Sequence, residues 1–219
     1  VKLNGSVGTT NYGVFAATEA SDAGRDFFAA RATRDFGNQG LGVMVTQVDR
    51  PYLDRLATVY SVDHRWSPTA AWNVRSTLVA SDVEQAGESV QDSGAQVRID
   101  HESGDGWRQQ LYMIHSGDGL QLNDFGYLER NNFNYIRGEV AHRITALPDT
   151  SHYSSHEYQY AMSNRTNDDG VLIGNAVAFK RISDRRDGGN EYLDFAYFTP
   201  GHDDLITRGN GVVDMPGKF

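Results

Sequence analysis

The chain has 219 residues, 20 basic against 29 acidic side chains, a formal net charge of −9 and no cysteine. That length suits one domain, or a large piece of one. The acidic balance argues against a nucleic-acid partner, because phosphate neutralisation needs a surplus of Lys and Arg. A mean hydropathy of −0.54, with no apolar run near the span of a membrane helix, excludes a transmembrane helix but not a transmembrane barrel. Without cysteine there are no disulfides and no thiolate metal centres, and the redox compartment stays open. The start, Val1-Lys2-Leu3-Asn4, has neither a charged n-region nor an apolar h-region, so no targeting signal is expected there. Either the mature chain begins here or it is cut from something longer.

Apolar residues recur at every second position, not with helical spacing, so the elements read as strands. In chain order they cover Lys2 to Val7, Tyr12 to Thr18, and a segment in which Phe28, Ala30 and Ala32 oppose Arg31 and Thr33. Leu41 to Val48 and Leu56 to Trp66 follow. The clearest strand runs from Ala71 to Ala80, with Trp72, Val74, Ser76, Leu78 and Ala80 on one face and Asn73, Arg75 and Thr77 on the other. Ser81 to Gly94 is the most polar stretch and reads as a long loop. Ala95 to Glu102 and Trp107 to His115 are strands, and Ser116 to Asn132 is irregular. Asn134 to Thr145 places Ile136, Val140 and Ile144 opposite Arg137, Glu139 and Arg143. His152 to Asn164, Val171 to Ile182, and Leu193, Phe195 and Tyr197 opposite Asp194 complete about a dozen strands. Gly37-Asn38-Gln39-Gly40, Ser103-Gly104-Asp105-Gly106, Asp168-Asp169-Gly170 and Asp187-Gly188-Gly189-Asn190 are turn signals. Strands joined this tightly pair antiparallel, so the expected class is an all-β antiparallel meander.

The alternation fits two architectures. A soluble β-sandwich buries the apolar faces between sheets, whereas a transmembrane β-barrel turns them to lipid and lines its lumen with the polar faces. Three features fit the barrel. Long charged residues stand in mid-strand on the polar faces: Arg31, Arg75, Arg137, Glu139 and Arg143. Small residues (Gly13, Ala17, Ala30, Ala32, Gly138, Ala178) recur among the apolar positions. Aromatics fall near strand ends, namely Tyr12, Phe36, Tyr60, Trp66, Trp107, Tyr135, Tyr153 and Phe198, where interfacial girdles place them. A sandwich with a charged outer face predicts the same arginines, and the pattern alone leaves both open.

Four stretches carry a family resemblance. They are Phe27-Phe28-Ala29-Ala30-Arg31 running into Arg34-Asp35-Phe36-Gly37, then Gly42-Val43-Met44-Val45-Thr46 with Asp49-Arg50-Pro51. The third is Tyr60-Ser61-Val62-Asp63 with Arg65-Trp66 and Trp72 to Ser81. The fourth is Leu122-Asn123-Asp124-Phe125-Gly126-Tyr127-Leu128 with Arg130-Asn131-Asn132. Together, over about two-thirds of the chain, these resemble the C-terminal region of the bacterial domain-of-unknown-function family 5916. The resemblance implies a strand-rich region that forms an outer-membrane barrel behind an N-terminal carbohydrate-binding domain of the family-9 type. It supplies no catalytic residues. Full members are several times longer than this chain, which implies further barrel strands covalently continuous with it. The last residue, Phe219, invites comparison with the terminal aromatic of outer-membrane proteins, yet Val213 to Lys218 does not alternate like a final strand and Pro216 has no N–H to donate.

Motifs for chemistry are weak. His152 and His156 are four apart, but on a strand that separates them by about 13 Å, too far to share an ion. Asn167-Asp168-Asp169-Gly170 is similar to a calcium loop only in part, because Arg165 and Ala176 stand where its first and last acids belong, so a turn is expected. Asp184, Asp187, Glu191, Asp203 and Asp204 read as solvated loop acids. Glu139 with Asp100 or Asp194 meets the spacing of a glycosidase pair only if the fold brings them together. No nucleophile elbow, phosphate loop or dinucleotide fingerprint is present. The glycosylation-type triplets at Asn4 and Asn164 carry no weight in a bacterial chain.

The resulting expectation is a single β-barrel domain over residues 1–219, or a fragment of a larger barrel, in a Gram-negative outer membrane. It is non-enzymatic, with no catalytic residue, metal or cofactor, and serves as passage or docking site for a solute of the glycan kind. Its partners are outer-membrane lipid and that solute, with no nucleic acid. Arg31, Asn73, Arg75, Arg137, Glu139 and Arg143 line the lumen. The alternatives are a periplasmic or secreted all-β carbohydrate-binding module in which Trp72 or Trp107 stacks on a sugar, and a secreted enzyme with carboxylates in a loop-rimmed cleft.

Overall fold

A computed structural model describes residues 1–21, 23–207 and 211–219. The chain is an antiparallel meander. Twelve strands form one sheet in sequence order without a crossover: β1 (Lys2–Val7), β2 (Thr10–Thr18), β3 (Asp26–Phe36), β4 (Gln39–Arg50), β5 (Arg55–Trp66), β6 (Trp72–Gln85), β7 (Glu88–Glu102), β8 (Trp107–Ser116), β9 (Phe133–Ile144), β10 (Tyr153–Thr166), β11 (Leu172–Arg185) and β12 (Asn190–Phe198). In that order, among the described residues, β1 has β2 and β12 has β11 as its one strand neighbour. A two-stranded sheet, β13 (Gly201–Asp203) with β14 (Val213–Met215), follows. The strands β2 to β12 run from 9 to 15 residues, well beyond the five or six or so usual in globular sheets.

Two compact units are distinguished. The first comprises Val1–Thr69, Asn73–Val97 and Ile114–Phe133, and the second Ala70–Trp72, Arg98–Met113 and Asn134–Phe219.

In the first unit the registers sort side chains into two unlike faces. Across β2 to β6, one face carries the rows Tyr12–Ala32–Val43–Val62–Leu78 and Val14–Ala30–Val45–Tyr60–Ala80. The other carries Phe27–Val48–Ala57–Val83, Ala29–Thr46–Val59–Ser81 and Arg31–Met44–Ser61–Val79. The first, apolar face is the open one, with Leu78 60% exposed. The second bears the charges yet holds most of the buried residues, with Val48 at 1% and Val83 and Ser81 at 2%.

The second unit repeats this sorting across β9 to β12. Gly138–Met162–Val177–Tyr197, Val140–Tyr160–Phe179–Phe195 and His142–Tyr158–Arg181–Leu193 share the open face, where Met162 is 68% exposed. Glu139–Ala161–Ala178–Ala196, Ala141–Gln159–Lys180–Asp194 and Arg143–Glu157–Ile182–Tyr192 share the charged one, where Ala141 and Glu157 are buried.

Several expectations need correction. Ser81 to Gly94 is not a loop: β6 continues to Gln85 and β7 begins at Glu88. The polar residues there are paired, since Asp82 accepts hydrogen bonds from Ser89 (3.3 Å) and Gln91 (3.0 Å). The turn is the two residues Ala86 (φ 51°) and Gly87 (φ 81°), both in the left-handed region that a two-residue hairpin requires. The small residues do not all lie on the open apolar faces either. Ala30, Ala32 and Gly138 do, but Gly13, Ala17 and Ala178 stand opposite Arg31, Phe27 and Ala161 on the charged faces. Tyr60 lies in mid-strand, not at a strand end. Val213 to Met215 does form a strand, though a three-residue one paired with β13.

The turn chemistry gives a prediction. An L-residue in the left-handed region costs about 1–2 kcal/mol, less for Asn. Ala86→Asn is therefore expected to raise the urea midpoint and Gly87→Val to lower it, and the opposite order would show that the turn is not of this kind.

Candidate functional site

The charged face of the first unit is built around pairs that reach over β4. Arg31 on β3 meets Asp63 on β5 (2.7 Å), and Asp35 on β3 meets Arg65 on β5 (3.0 Å). Gly42 and Gly40 stand between them on β4. A Cβ at Gly42 would collide with the Asp63 carboxylate, and one at Gly40 would lie 2.8 Å from Asp35 Oδ1. The glycines thus keep the middle strand low enough for acid and base to meet across it. Asn73 and Arg75 stand on the same face, next to Arg65: Arg75 Nε donates to Asn73 Oδ1 (2.8 Å), and Asn73 Nδ2 donates to Ser67 Oγ (3.0 Å).

The irregular segment between β8 and β9 folds onto this face. Its Leu120 is buried, and Gln121 N–H donates to Ser81 Oγ (3.0 Å). Gly119 N–H donates to the Asp92 carboxylate (2.8 Å). Phe125 packs against Phe15 and Phe27, with centroids 6.3 and 5.8 Å away. Asp124 lies between Arg50 (3.1 Å) and Arg55 (2.7 Å), its side chain only 9% exposed. Arg55 also donates to Gln85 and Gln121 (both 2.9 Å). Asp49-Arg50-Pro51 and Asn123 to Leu128, far apart in the chain, therefore meet in one ion-pair cluster. Sequence reasoning did not single out Arg55, Gln121 or Asp124 as a site, and no spacing rule connects residues that lie 69 apart.

In the second unit Arg137 and Glu139 bond each other (2.7 Å), and Arg143 bonds Asp184 (3.0 Å), which also accepts from Ser155 (2.6 Å). Arg98 and Gln110 both donate to Asp100 (2.9 Å), while Arg108 and Gln159 both donate to Glu157. All six expected lumen residues thus stand on the charged faces, three in each unit. Glu139 and Asp100 are each engaged by arginine. Asp194 lies opposite Lys180.

Trp72 and Trp107 are each stacked on a histidine, His101 and His142, with centroids 4.2 Å apart in both pairs. One face of each indole is therefore covered. His156 Nδ1 lies 2.8 Å from Ser183 Oγ. Asp168 accepts from Asn134 in the turn after β10, and Asn167 Oδ1 accepts from Val171 N–H there. Phe219 packs on Phe195 and Tyr197, beside the Phe198–Lys218 bridge.

Asp105 and Asp187, in the turns before β8 and β12, are tuned. The Ser103 hydroxyl, aided by the Trp107 N–H, holds the Asp105 carboxyl below the usual aspartate range, and the Gly189 N–H followed by Arg185 does the same for Asp187. A depressed carboxyl stabilises its turn at pH above the ordinary aspartate value, and the contribution is lost as pH falls through the depressed one. The Asp105 carboxyl resonance is expected to titrate below that of a free aspartate; a midpoint above it would contradict the hydrogen-bond account.

Burial ranks the ion pairs. Removing Asp124 strands two guanidinium groups in a poorly solvated place, so Asp124→Ala is expected to cost about 3–5 kcal/mol. Asp63→Ala removes a half-exposed pair and is expected to cost at most about 1 kcal/mol. Equal urea midpoints for the two variants would refute the ranking. Compared with the models of known protein families the chain matches none, and none of the curated proteins matches it either.

Proposed function

We propose that the chain is a segment of an outer-membrane β-barrel that gives passage or docking to a polar solute, with no catalytic step of its own. The observation that carries this reading is the sidedness within each unit. The apolar face is the open one, and the face bearing ion pairs holds the buried residues of the strands except Thr58 and Ser183. A water-soluble sheet spends its apolar face on a dry core. A lipid-facing sheet leaves it open, and pairs its charges on the side that faces the lumen. The strands support the same reading, since a membrane-crossing strand needs about 9–11 residues and β2 to β12 meet that length.

On this reading Arg31, Asn73, Arg75, Arg137, Glu139 and Arg143 set the field and the hydrogen-bonding of the lumen. Paired donors and acceptors such as Arg98–Asp100–Gln110 and Arg108–Glu157–Gln159 suit a solute rich in hydroxyl groups. That chemistry, with the family resemblance, favours a glycan fragment.

Electrophoretic mobility of detergent-extracted protein, boiled against unboiled, tests the barrel. A heat-dependent shift is expected, and a chain that dissolves in plain buffer without a shift would overturn the reading in favour of a soluble sandwich. Arg75→Glu combined with Arg137→Glu is expected to move the ion selectivity of the reconstituted pore toward cations with folding retained. Unchanged selectivity would remove these residues from the lumen.

A further inference from the structure

On the open face of the second unit lies a groove of about 420 Å³, lined by Ile99, Leu111, Gly138, Val140, Tyr160 and Met162 among others. That volume falls within the range of small-molecule sites. Its breadth follows from Gly138, whose missing side chain leaves open space: nothing lies within 4 Å of where a Cβ would be. Its walls are almost entirely apolar, so water gains little there and a hydrocarbon chain gains from burial.

The row next to the groove has a different character. His142, Tyr158 and Arg181 are cross-strand neighbours on the same face, two residues along their strands from Val140, Tyr160 and Phe179, or about 7 Å. Trp107 stacks on His142. Arg181 makes no ion pair among the described residues, and its Nε is buried without a hydrogen-bond partner. The nearby acids are engaged, Glu191 by the Tyr153 hydroxyl (2.9 Å) and by Arg185 (3.7 Å), and Asp105 by Ser103 and Trp107 N–H. An unpaired guanidinium among amphipathic rings at the border of an apolar face is arranged for an anion whose remainder is greasy.

The geometry points to a binding site for one anionic glycerophospholipid, with an acyl chain in the groove over Gly138 and its phosphate on Arg181 beside His142, Tyr158 and Trp107. The site rests on the membrane reading above and adds to it: the open face holds a particular lipid in place and is more than a uniform contact with solvent hydrocarbon.

The test uses the whole chain reconstituted in vesicles of phosphatidylethanolamine and phosphatidylglycerol in equal parts, re-extracted in mild detergent and weighed intact by native mass spectrometry. The wild-type chain is expected to retain one phosphatidylglycerol. Gly138→Leu, which fills the groove where there is space for it, and Arg181→Gln are each expected to weaken retention about tenfold. Arg181→Lys is expected to retain more lipid than Arg181→Gln. Heat-dependent mobility of every variant reports the fold separately. Undiminished lipid in Gly138→Leu and Arg181→Gln, with the mobility shift intact, would overturn the lipid site and leave the barrel standing. A wild-type chain that is soluble without detergent and shows no shift would overturn both.

Discussion

The two-faced character of each unit depends on antiparallel register, which runs without a shift from β2 to β6 and is shifted in β10–β11 near the two ends of that pair. With a side-chain period of two, a slip of one residue between any two strands would exchange their faces, setting arginines among the exposed apolar rows and valines among the ion pairs. The register is protected by contacts that a slipped sheet could not make. Arg31 reaches Asp63 only if β3, β4 and β5 align so that Gly42 lies between them. Asp124 reaches both Arg50 and Arg55 only if the β4–β5 hairpin is closed at that level. Charge pairs that contribute modestly to stability therefore contribute strongly to uniqueness.

The same constraint explains where small residues are needed. Long side chains from alternate strands meet only over a strand that offers no obstacle. Gly40 and Gly42 clear the way in the first unit, and in the second the short Ser155 on β10 bonds the Asp184 carboxylate that Arg143 reaches from β9. On the open faces glycine has a different effect, since at Gly138 it hollows the surface instead of letting partners approach.

Much of this was legible in the sequence because alternation is a local signal. The bounds of β1 were readable residue for residue, and the two faces of β6 and β9 were assigned from hydropathy alone. Ser81 to Gly94 misled because its polarity looked like solvation, whereas Asp82, Ser89 and Gln91 satisfy one another across a hairpin. Its turn was hidden too, Ala86-Gly87 lacking the Asn or Asp that usually marks such turns. Gly13, Ala17 and Ala178 misled because small residues serve either face. The cluster of Arg50, Arg55 and Asp124 was out of reach for another reason: it joins distant parts of the chain, and one sequence carries no trace of which arginine waits for which aspartate.

That long-range junction has a consequence for how the chain assembles. The strands of the meander pair with their sequence neighbours, so every hairpin but β8–β9 closes a comparatively short loop and the sheet has the low contact order of a structure that grows by accretion. Docking Asp124 onto Arg55 closes a separation of 69 residues, a closure whose entropic cost is smallest once β5 to β8 are already paired. The segment between β8 and β9 is thus a latch over the sheet, favoured to shut after the strands beneath it are laid.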